Sequence, residues 1–516
     1  MTDTPAKLLQ GGQPDYDLVV IGGGVNGCGI AMDAAGRGLK ILLLEMNDLG
    51  SATSSSSSKL IHGGLRYLEF YEFRLVREAL KERETLLSNA PHIIWPLRFR
   101  LPHRPHLRPA WMIRIGLFLY DHLARRKRLA GSHGIRFAAQ GPLVEGIHRG
   151  FEYADGWVDD ARLVVLCAMA AAQRGAIIQP RCQVIAAARE GNLWRVHYRD
   201  NNTGKQHSVI SRTLVNAAGP WVSQVLQGPL AQTNPERIRM VKGSHLVVPR
   251  LYTGEEAYIL QNDDGRIVFV IPYENDFSLI GTTDVDYHGD PSAVVISDEE
   301  IDYLLSVVNQ HFRQPLSRDA IVWDFAGVRP LMDEAAQSAQ KASRDYRFVI
   351  DAPVGQAALL SVFGGKITTY RKLAEAAMNS LCRQADLDGQ AWTASARLPG
   401  GNFDTPTALL NELQQRYPWL DSALAQRYVR TYGTLCIGFL GQSWQIEDLG
   451  EHLGAGLYAC EVTYLVQHEW AQTSEDILWR RTKLGLHQAQ INLQALQRLI
   501  TQLRTRGTQV TADNGV

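Results

Sequence analysis

Asp17-Leu-Val-Val-Ile-Gly-Gly-Gly-Val-Asn-Gly27 and, one helix-length further on, Lys40-Ile-Leu-Leu-Leu-Glu45 decide the fold of this chain. Both apolar runs are continuous rather than alternating. That predicts strands of a parallel sheet covered on both faces. The stretch 25–38 is rich in small residues and predicts the connecting helix. Gly22, Gly24 and Gly27 fall at G-x-G-x-x-G spacing, between the first strand and that helix. Glycines allow the tight turn and let the backbone approach a pyrophosphate. The helix start offers unpaired N–H groups and a positive dipole end. Glu45 closes the second strand at about the distance, ~20 residues on, where an acid accepts the ribose hydroxyls. Gly22, Gly24, Gly27 and Glu45 therefore predict a bound dinucleotide.

The fingerprint alone leaves NAD and FAD open. Its place near the start of the chain, with related strand ends far downstream, favours FAD, which is long enough to touch several strand ends. Asn216-Ala-Ala-Gly219 and Phe363-Gly-Gly365 are two such ends, so Ala218, Gly219, Gly364 and Gly365 join the cofactor candidates. Residues 74–90 predict a charged amphipathic helix, and 181–199 a hairpin turning at Glu190-Gly-Asn192. Alternating runs over 238–283, such as Arg266-Ile-Val-Phe-Val-Ile271, predict an antiparallel sheet reaching to about residue 350. Leu398-Pro-Gly-Gly-Asn402 reads as a linker by composition, with mostly helix beyond it to about Arg504. The expected class is α/β: an N-terminal Rossmann-like FAD-binding fold, an antiparallel-sheet substrate domain and a C-terminal helical domain. The core would span 17–398, discontinuously, and the helical domain 403–505. Residues 1–16 and 506–516 read as flexible tails.

Composition narrows the function classes. Across 516 residues, 53 Lys plus Arg balance 53 Asp plus Glu, which disfavours a generally basic nucleic-acid binder. Six cysteines without a CxxC pair support neither a disulfide scaffold nor a cysteine zinc cluster, so no metal site is expected and a reducing compartment fits. The polar start at 1–16 lacks the pattern of an export signal, and no stretch reaches the ~20 apolar residues of a membrane-spanning helix.

Ser54-Ser-Ser-Ser-Ser-Lys-Leu-Ile-His-Gly-Gly-Leu-Arg-Tyr67 resembles the loop after the ribose-binding acid in FAD-dependent glycerol-3-phosphate dehydrogenases. Val241-Lys-Gly-Ser-His245, Ile280-Gly-Thr-Thr-Asp284, Gly327-Val-Arg-Pro330 and Phe363-Gly-Gly-Lys-Ile-Thr-Thr-Tyr-Arg371 resemble further segments of that family. The likeness runs from about residue 17 to about 485, and it is strongest to the aerobic, respiratory bacterial enzymes. It implies FAD as cofactor and oxidation of sn-glycerol 3-phosphate to dihydroxyacetone phosphate, with electrons passing to a membrane quinone. It also implies that Thr53, Ser54 and Ser58 wrap the cofactor, although composition alone would make 54–58 a flexible linker.

A phosphate dianion requires cations, and alcohol oxidation requires a base for the hydroxyl proton while hydride goes to the flavin. The matched motifs supply His62, Arg66, Tyr67, His245, Arg329, Arg344 and Lys366. His245 is the first choice for the base because imidazole titrates near neutrality. Arg329 is a rival electrophile or base, and His62 a third candidate. Arg66, Tyr67 and Arg344 are read as phosphate ligands. Lys366, at a helix start, would stabilise negative charge at flavin N1/O2 and also borders the substrate.

Residues 98–128 hold nine cations against one acid, Asp121, around Trp111-Met-Ile-Arg-Ile-Gly-Leu-Phe-Leu-Tyr120. Such a helix suits a membrane surface of anionic lipid, with Trp111 and Tyr120 at headgroup level. A buried helix with a basic rim is the other reading. The expected location is the cytoplasmic face of the inner membrane, peripheral or monotopic. Rival functions are a soluble oxidase that gives electrons to oxygen and, with less support, a flavin-containing RNA-binding or RNA-modifying protein. The oligomeric state stays open, a homodimer among the options.

Overall fold

The structure, a computed structural model, describes residues 13–104, 106, 109–233, 236–332 and 346–513. β1 (Tyr16–Ile21) and β2 (Ile41–Glu45) flank helix α1 (Val25–Gly36), as the opening motif requires. They lie at the centre of an eight-stranded sheet. Its order is Tyr346–Asp351, Ala358–Gly364, Gln206–Asn216, β1, β2, Ile177–Pro180, with the hairpin Cys182–Glu190/Leu193–Asp200 on the Gln206–Asn216 strand. The inner pairings are parallel and in register, Ile21 with Leu44 and Asn216, and Asn216 with Ser361. Parallel registration brings Ile21, Glu45, Asn216 and Gly364 to one edge, where ligands of open α/β sheets bind.

Small residues decide how closely the covering helices approach. A Cβ on Gly29 of α1 would lie 2.9 Å from the Tyr370 ring, so the helix Tyr370–Ala385 sits directly against α1. α4 (Asp160–Ala172) packs beside it with Val164, Cys167, Ala168 and Ala171 fully buried. Its Asp159 cap accepts from Arg162 N–H, satisfying one of the orphan donors of the first turn.

A ten-stranded, mainly antiparallel sheet forms the second layer. It contains the expected strands from Ile238–Pro249 to Phe277–Gly281, but it also recruits Leu60–Ile61, Ile94–Pro102, His133–Arg136 and Arg149–Val158 from earlier in the chain. The expected extent to residue 350 needs correction, because Tyr346–Asp351 pairs with Ala358–Gly364 of the first sheet. Its partner there shares the apolar run 358–363, whereas contiguity in sequence had suggested the nearer antiparallel strands.

The C-terminal helices build their own core from Leu413, Tyr428, Tyr432, Cys436, Leu457 and Leu496. The last helix runs Leu493–Asp513, past the point where composition had ended it. Leu398–Gly401, read as a linker, is buried instead. Gly400 adopts φ +83, and a Cβ there would fall 2.2 Å from Tyr432 O, so this segment clamps the helical layer to the core. Buried ion pairs complete the joint. Arg162 of α4 meets Glu469 through both guanidinium nitrogens, both side chains fully buried, and Arg481 pairs with Asp48 at 2.7 Å.

Removing one partner of such a pair leaves an uncompensated buried charge, costing about 3–5 kcal/mol. Glu469→Ala should therefore lower the thermal midpoint by several degrees and expose the C-terminal layer to protease before the core. An unchanged midpoint would show that the joint does not depend on this pair.

Candidate active site

The strand-end edge of the parallel sheet opens into a cavity of about 730 Å³ that continues between the two sheets. The glycine turn forms its floor. Gly22 has φ +107, and a Cβ there would lie 2.6 Å from Ala217 O. Gly24 lines the cavity and caps α1 in extended conformation. Gly27 is placed differently from the other two. It faces the turn rather than the cavity, where a Cβ would come 1.9 Å from Gly22 O. Its role is to let the helix close on the turn.

Glu45 accepts from Gly23 N–H at 2.6 Å and Asn47 N–H at 2.8 Å, and burial pushes its carboxyl above the ordinary range. Each oxygen keeps a lone pair for a hydroxyl donor. Ser54 Oγ accepts from Val25 N–H at 3.0 Å, so its own proton can turn to an anion at the helix start. Thr53 Oγ1 donates to Val328 O at 2.6 Å, tying this loop to the second sheet. Ala218, Gly219, Gly364 and Gly365 line the same cavity, Gly365 with φ +100. The serine run that composition makes a linker is thus a wall, since Ser54, Ser56, Ser57 and Ser58 all face inward. Below it, buried Lys59 pairs with Asp160 at 2.8 Å, and Ser57 Oγ donates to the same carboxylate at 2.7 Å.

These features fit FAD. The turn is a cradle that a Cβ would fill, Glu45 stands at the ribose position, and the cavity continues past the pyrophosphate floor to polar groups suited to a reacting centre.

At that far end the chain brings together His62, Arg66, Tyr67, His245, Arg329 and Lys366. Arg344, the remaining candidate, lies outside the described residues. His245 sits in the strand Ile238–Pro249, fully enclosed, with Phe325 stacked at 4.8 Å. Its Nε2 lies 2.9 Å from Ser58 Oγ, while Nδ1 is buried without a partner among the described residues. Burial first, then the Arg329 and Lys59 cations, hold the imidazole well below its ordinary pKa, so it is neutral. Arg329 pairs with Asp284 at 2.9 Å and donates to Thr282 Oγ1 and Thr283 O.

Arg66 projects from a 3-10 turn, Leu65–Phe70, and its buried Nε has no partner among the described residues. Lys366 Nζ lies 3.9 Å over the Tyr67 ring. Sequence reasoning assigned no role to Asp284, although it stands in a quoted motif. A partly buried arginine favours a counter-charge, and that preference was the available signal. Lys59, Asp160 and Thr368 were also missed, because their roles depend on contacts far apart in the chain.

Comparison with known proteins follows the same lines. The family model described as FAD dependent oxidoreductase matches residues 17–371, and that described as C-terminal domain of alpha-glycerophosphate oxidase matches 391–507. A glycerol-3-phosphate dehydrogenase of Pseudomonas aeruginosa is 58% identical over 476 residues, covering 91% of this chain and 92% of the relative. The aerobic glycerol-3-phosphate dehydrogenase of Escherichia coli is 56% identical, covering 91% of this chain and 94% of the relative. The structure of a glycerol-3-phosphate dehydrogenase from Bacillus halodurans complexed with FAD superposes with a TM-score of 0.72 at 27% identity, covering 95% of this chain and 89% of that one.

The two glycine contacts separate experimentally. Gly24→Val should give a folded, colourless protein, because the side chain stands where the cofactor lies. Gly27→Val should lose flavin and also melt earlier, because helix and turn can no longer close. Flavin absorbance and thermal midpoint of both variants check this, and a yellow Gly24→Val protein would remove the turn from the cofactor site.

Proposed function

The chain belongs to the FAD-dependent glycerol-3-phosphate dehydrogenases, and from that premise we propose that it oxidises sn-glycerol 3-phosphate to dihydroxyacetone phosphate and passes the electrons to a membrane quinone. One observation carries the substrate reading. Arg66, Tyr67, Lys366, His62, His245 and Arg329 converge on the cavity that begins at the glycine turn.

Arg66, with an unpartnered buried Nε, and Lys366 hold the phosphate, with Tyr67 packed against the lysine. Charge-assisted contacts to an oxyanion are the strong ones, and a guanidinium offers several donors in one plane. His245 takes the hydroxyl proton of the secondary alcohol. It is neutral and therefore able to accept, and the negative charge of the phosphate opposes the cationic fields that depress its basicity. Arg329, pinned by Asp284, stabilises the alkoxide that develops as the proton leaves. His62 borders the same space, with its backbone N–H fixed to Thr368 Oγ1 at 3.2 Å. Bound FAD supplies the hydride acceptor. Glu45 and the glycine turn orient it.

The acceptor reading rests on α3 (Ala110–His122). Trp111, Met112, Ile115, Phe118 and Leu119 are exposed on its outer face, Trp111 by 64%. An exposed apolar patch next to free cations suits a lipid surface better than water. Arg125, Lys127 and Arg128 are exposed beside it and make no ion pair among the described residues. Two expectations for this segment are corrected. Leu117 and Tyr120 face the core, with Tyr120 2% exposed, so Tyr120 cannot reach headgroups. Arg98 and Arg100 lie in the strand Ile94–Pro102 against Glu152 and Glu256, so their charge is spent internally. No helix among the described residues is long and apolar enough to cross a membrane. The attachment in this reading is peripheral or monotopic, through α3, at the cytoplasmic face of the inner membrane. A soluble oxidase has less support, since the relatives at 58% and 56% identity carry dehydrogenase names.

Anaerobic addition of glycerol 3-phosphate to the purified yellow protein should bleach the flavin band. Persistence of the band would overturn the substrate. His245→Gln should lower kcat by roughly 10²–10⁴. In the unsubstituted enzyme the base must be unprotonated, so kcat/KM rises with pH through the His245 pKa. Because that pKa is depressed, this acid limb should lie below pH 6.5 and vanish in the variant.

Replacing Trp111, Ile115 and Phe118 together by Ser should weaken flotation with anionic liposomes at every salt concentration. Replacing Arg125, Lys127 and Arg128 by Gln should weaken it chiefly at low salt, at about 1 kcal/mol per cation. Both proteins should still be bleached by substrate. Normal flotation of both would detach α3 from the membrane.

A further inference from the structure

The Ile61-His-Gly-Gly-Leu-Arg-Tyr67 segment carries Arg66 and Tyr67, yet the mechanism above gives its glycines no part. Their surroundings supply one. Gly63 is buried, and a Cβ on it would lie 2.5 Å from Leu80 Cδ2 and 2.7 Å from the Tyr120 hydroxyl. Gly64 has φ +78, and a Cβ there would meet the Tyr67 ring at 2.2 Å. Position 63 is glycine because Leu80 and the α3 tyrosine come up against its backbone, and position 64 because its backbone is left-handed against the Tyr67 ring. Gly63 N–H donates to Tyr120 Oη at 2.7 Å.

We propose that Tyr120 is a positioning residue for phosphate binding: its hydroxyl holds the Gly63 amide and so sets the Gly63–Gly64 turn that aims Arg66 and Tyr67 into the cavity. This inference rests on the reading of Arg66 as a phosphate ligand.

The polarity of the contact is fixed. An amide N–H can only donate, so the tyrosine oxygen accepts there and must send its one proton elsewhere. Asp155 receives it, 2.9 Å from each carboxylate oxygen. Asp155 is in turn held by Arg83 of α2 (Phe73–Asn89), whose Nη1 lies 2.5 Å from Oδ1 and also donates to Ala154 O. The Tyr120 ring stands between Arg83, 5.8 Å away, and Tyr153, 5.8 Å away, and cannot swing. The chain Arg83, Asp155, Tyr120, Gly63 thus runs from a fixed core pair to the loop.

The loop depends on it. On the cofactor side it is held by Thr368, which accepts from His62 N–H, and by Lys366 over Tyr67. On the α3 side, the Gly63 amide has the Tyr120 hydroxyl at 2.7 Å and, beside it, the Asp155 carboxylate. The Arg66 guanidinium has a buried Nε with no partner among them, so its placement comes from the backbone beneath it. A loosened turn would therefore show first as weaker anion binding.

The test uses purified holoenzyme of Tyr120→Phe, which keeps the ring and its packing and removes only the hydroxyl. KM for glycerol 3-phosphate and the inhibition constant of inorganic phosphate should both rise about ten-fold, as the Gly63 amide loses its 2.7 Å partner and shifts toward Asp155, its remaining acceptor. Saturated kcat, flavin content and the flavin spectrum should stay as they are. A purely structural role predicts the reverse pattern, with flavin content and kcat falling together. Unmoved KM and inhibition constants would overturn the proposal, as would a fall in kcat without them. Arg66→Ala separates the two levels. If it raises KM while Tyr120→Phe does not, the positioning role fails and the phosphate reading stands. If Arg66→Ala leaves KM unmoved, both fail. Should Tyr120→Phe not accumulate with flavin, 3-fluorotyrosine at position 120 serves instead, since it weakens the oxygen as an acceptor while keeping the side chain. A smaller rise in both constants is then expected, and no rise overturns the proposal.

Discussion

A diphosphate can lie against protein backbone only where no Cβ stands in the way and N–H groups point outward. The turn between β1 and α1 meets that condition, and the rest of the molecule is arranged around it. Gly22 lies so close to Ala217 that the end of the strand Gln206–Asn216 is fixed relative to β1. Gly27 brings α1 onto the turn, and Gly29 then admits the helix Tyr370–Ala385. Three glycines within eight positions thus determine the approach of one strand and two helices. The same closeness leaves the helix start facing a cavity rather than a side chain.

The second constraint is charge. A site built to hold an anion accumulates cations, and each must be paired, buried beside an opposite charge or reserved for the ligand. Arg329 has Asp284, and Lys59 has Asp160. These pairs leave the cations in place while settling their charge, so their fields act on His245 without either cation swinging into the cavity. Arg66 Nε differs in having no protein partner among the described residues. That contrast, one cation uncommitted among several committed ones, is what singles out the phosphate end.

Much of this was legible in the residues. Continuous apolar runs marked β1 and β2 because both faces of that sheet are covered, and the strand ends at Asn216 and Phe363 were recognisable from the glycines that follow them. Local patterns failed where a distant partner decides the outcome. The proline and glycines of 398–401 look like a spacer until Tyr432, some thirty positions on, is seen to close over them. Tyr346–Asp351 joins the first sheet because Ala358–Gly364 offers it an edge, which no property of 346–351 reveals. Arg98 and Arg100 look lipid-facing by count, and only the pairing of their strand with Arg149–Val158 brings Glu152 opposite. The candidate site residues came from motifs, whereas the carboxylates behind them, Asp155, Asp160 and Asp284, drew no reading from the sequence. Those carboxylates act through side chains placed by tertiary contacts.

The helix α3 shows why composition reads such a segment only halfway. Its apolar residues are spread almost around the axis, which by pattern suits either burial or a membrane. The fold divides them. Ile113, Leu117 and Tyr120 turn inward onto the strands Ile94–Pro102 and Arg149–Val158 and onto the loop at Gly63, while Trp111, Ile115 and Phe118 turn outward. A helix that is apolar on both faces can pack on the protein and still present a greasy surface, so the two readings of the sequence were not alternatives. The polar atom on its inner face, the Tyr120 hydroxyl, is tolerated in that apolar contact because Asp155 and Gly63 use both its donor and its acceptor. An apolar residue in its place would pack as well but take from the Gly63 amide its 2.7 Å partner and leave it to Asp155 alone, so what holds a tyrosine there is the loop rather than the helix.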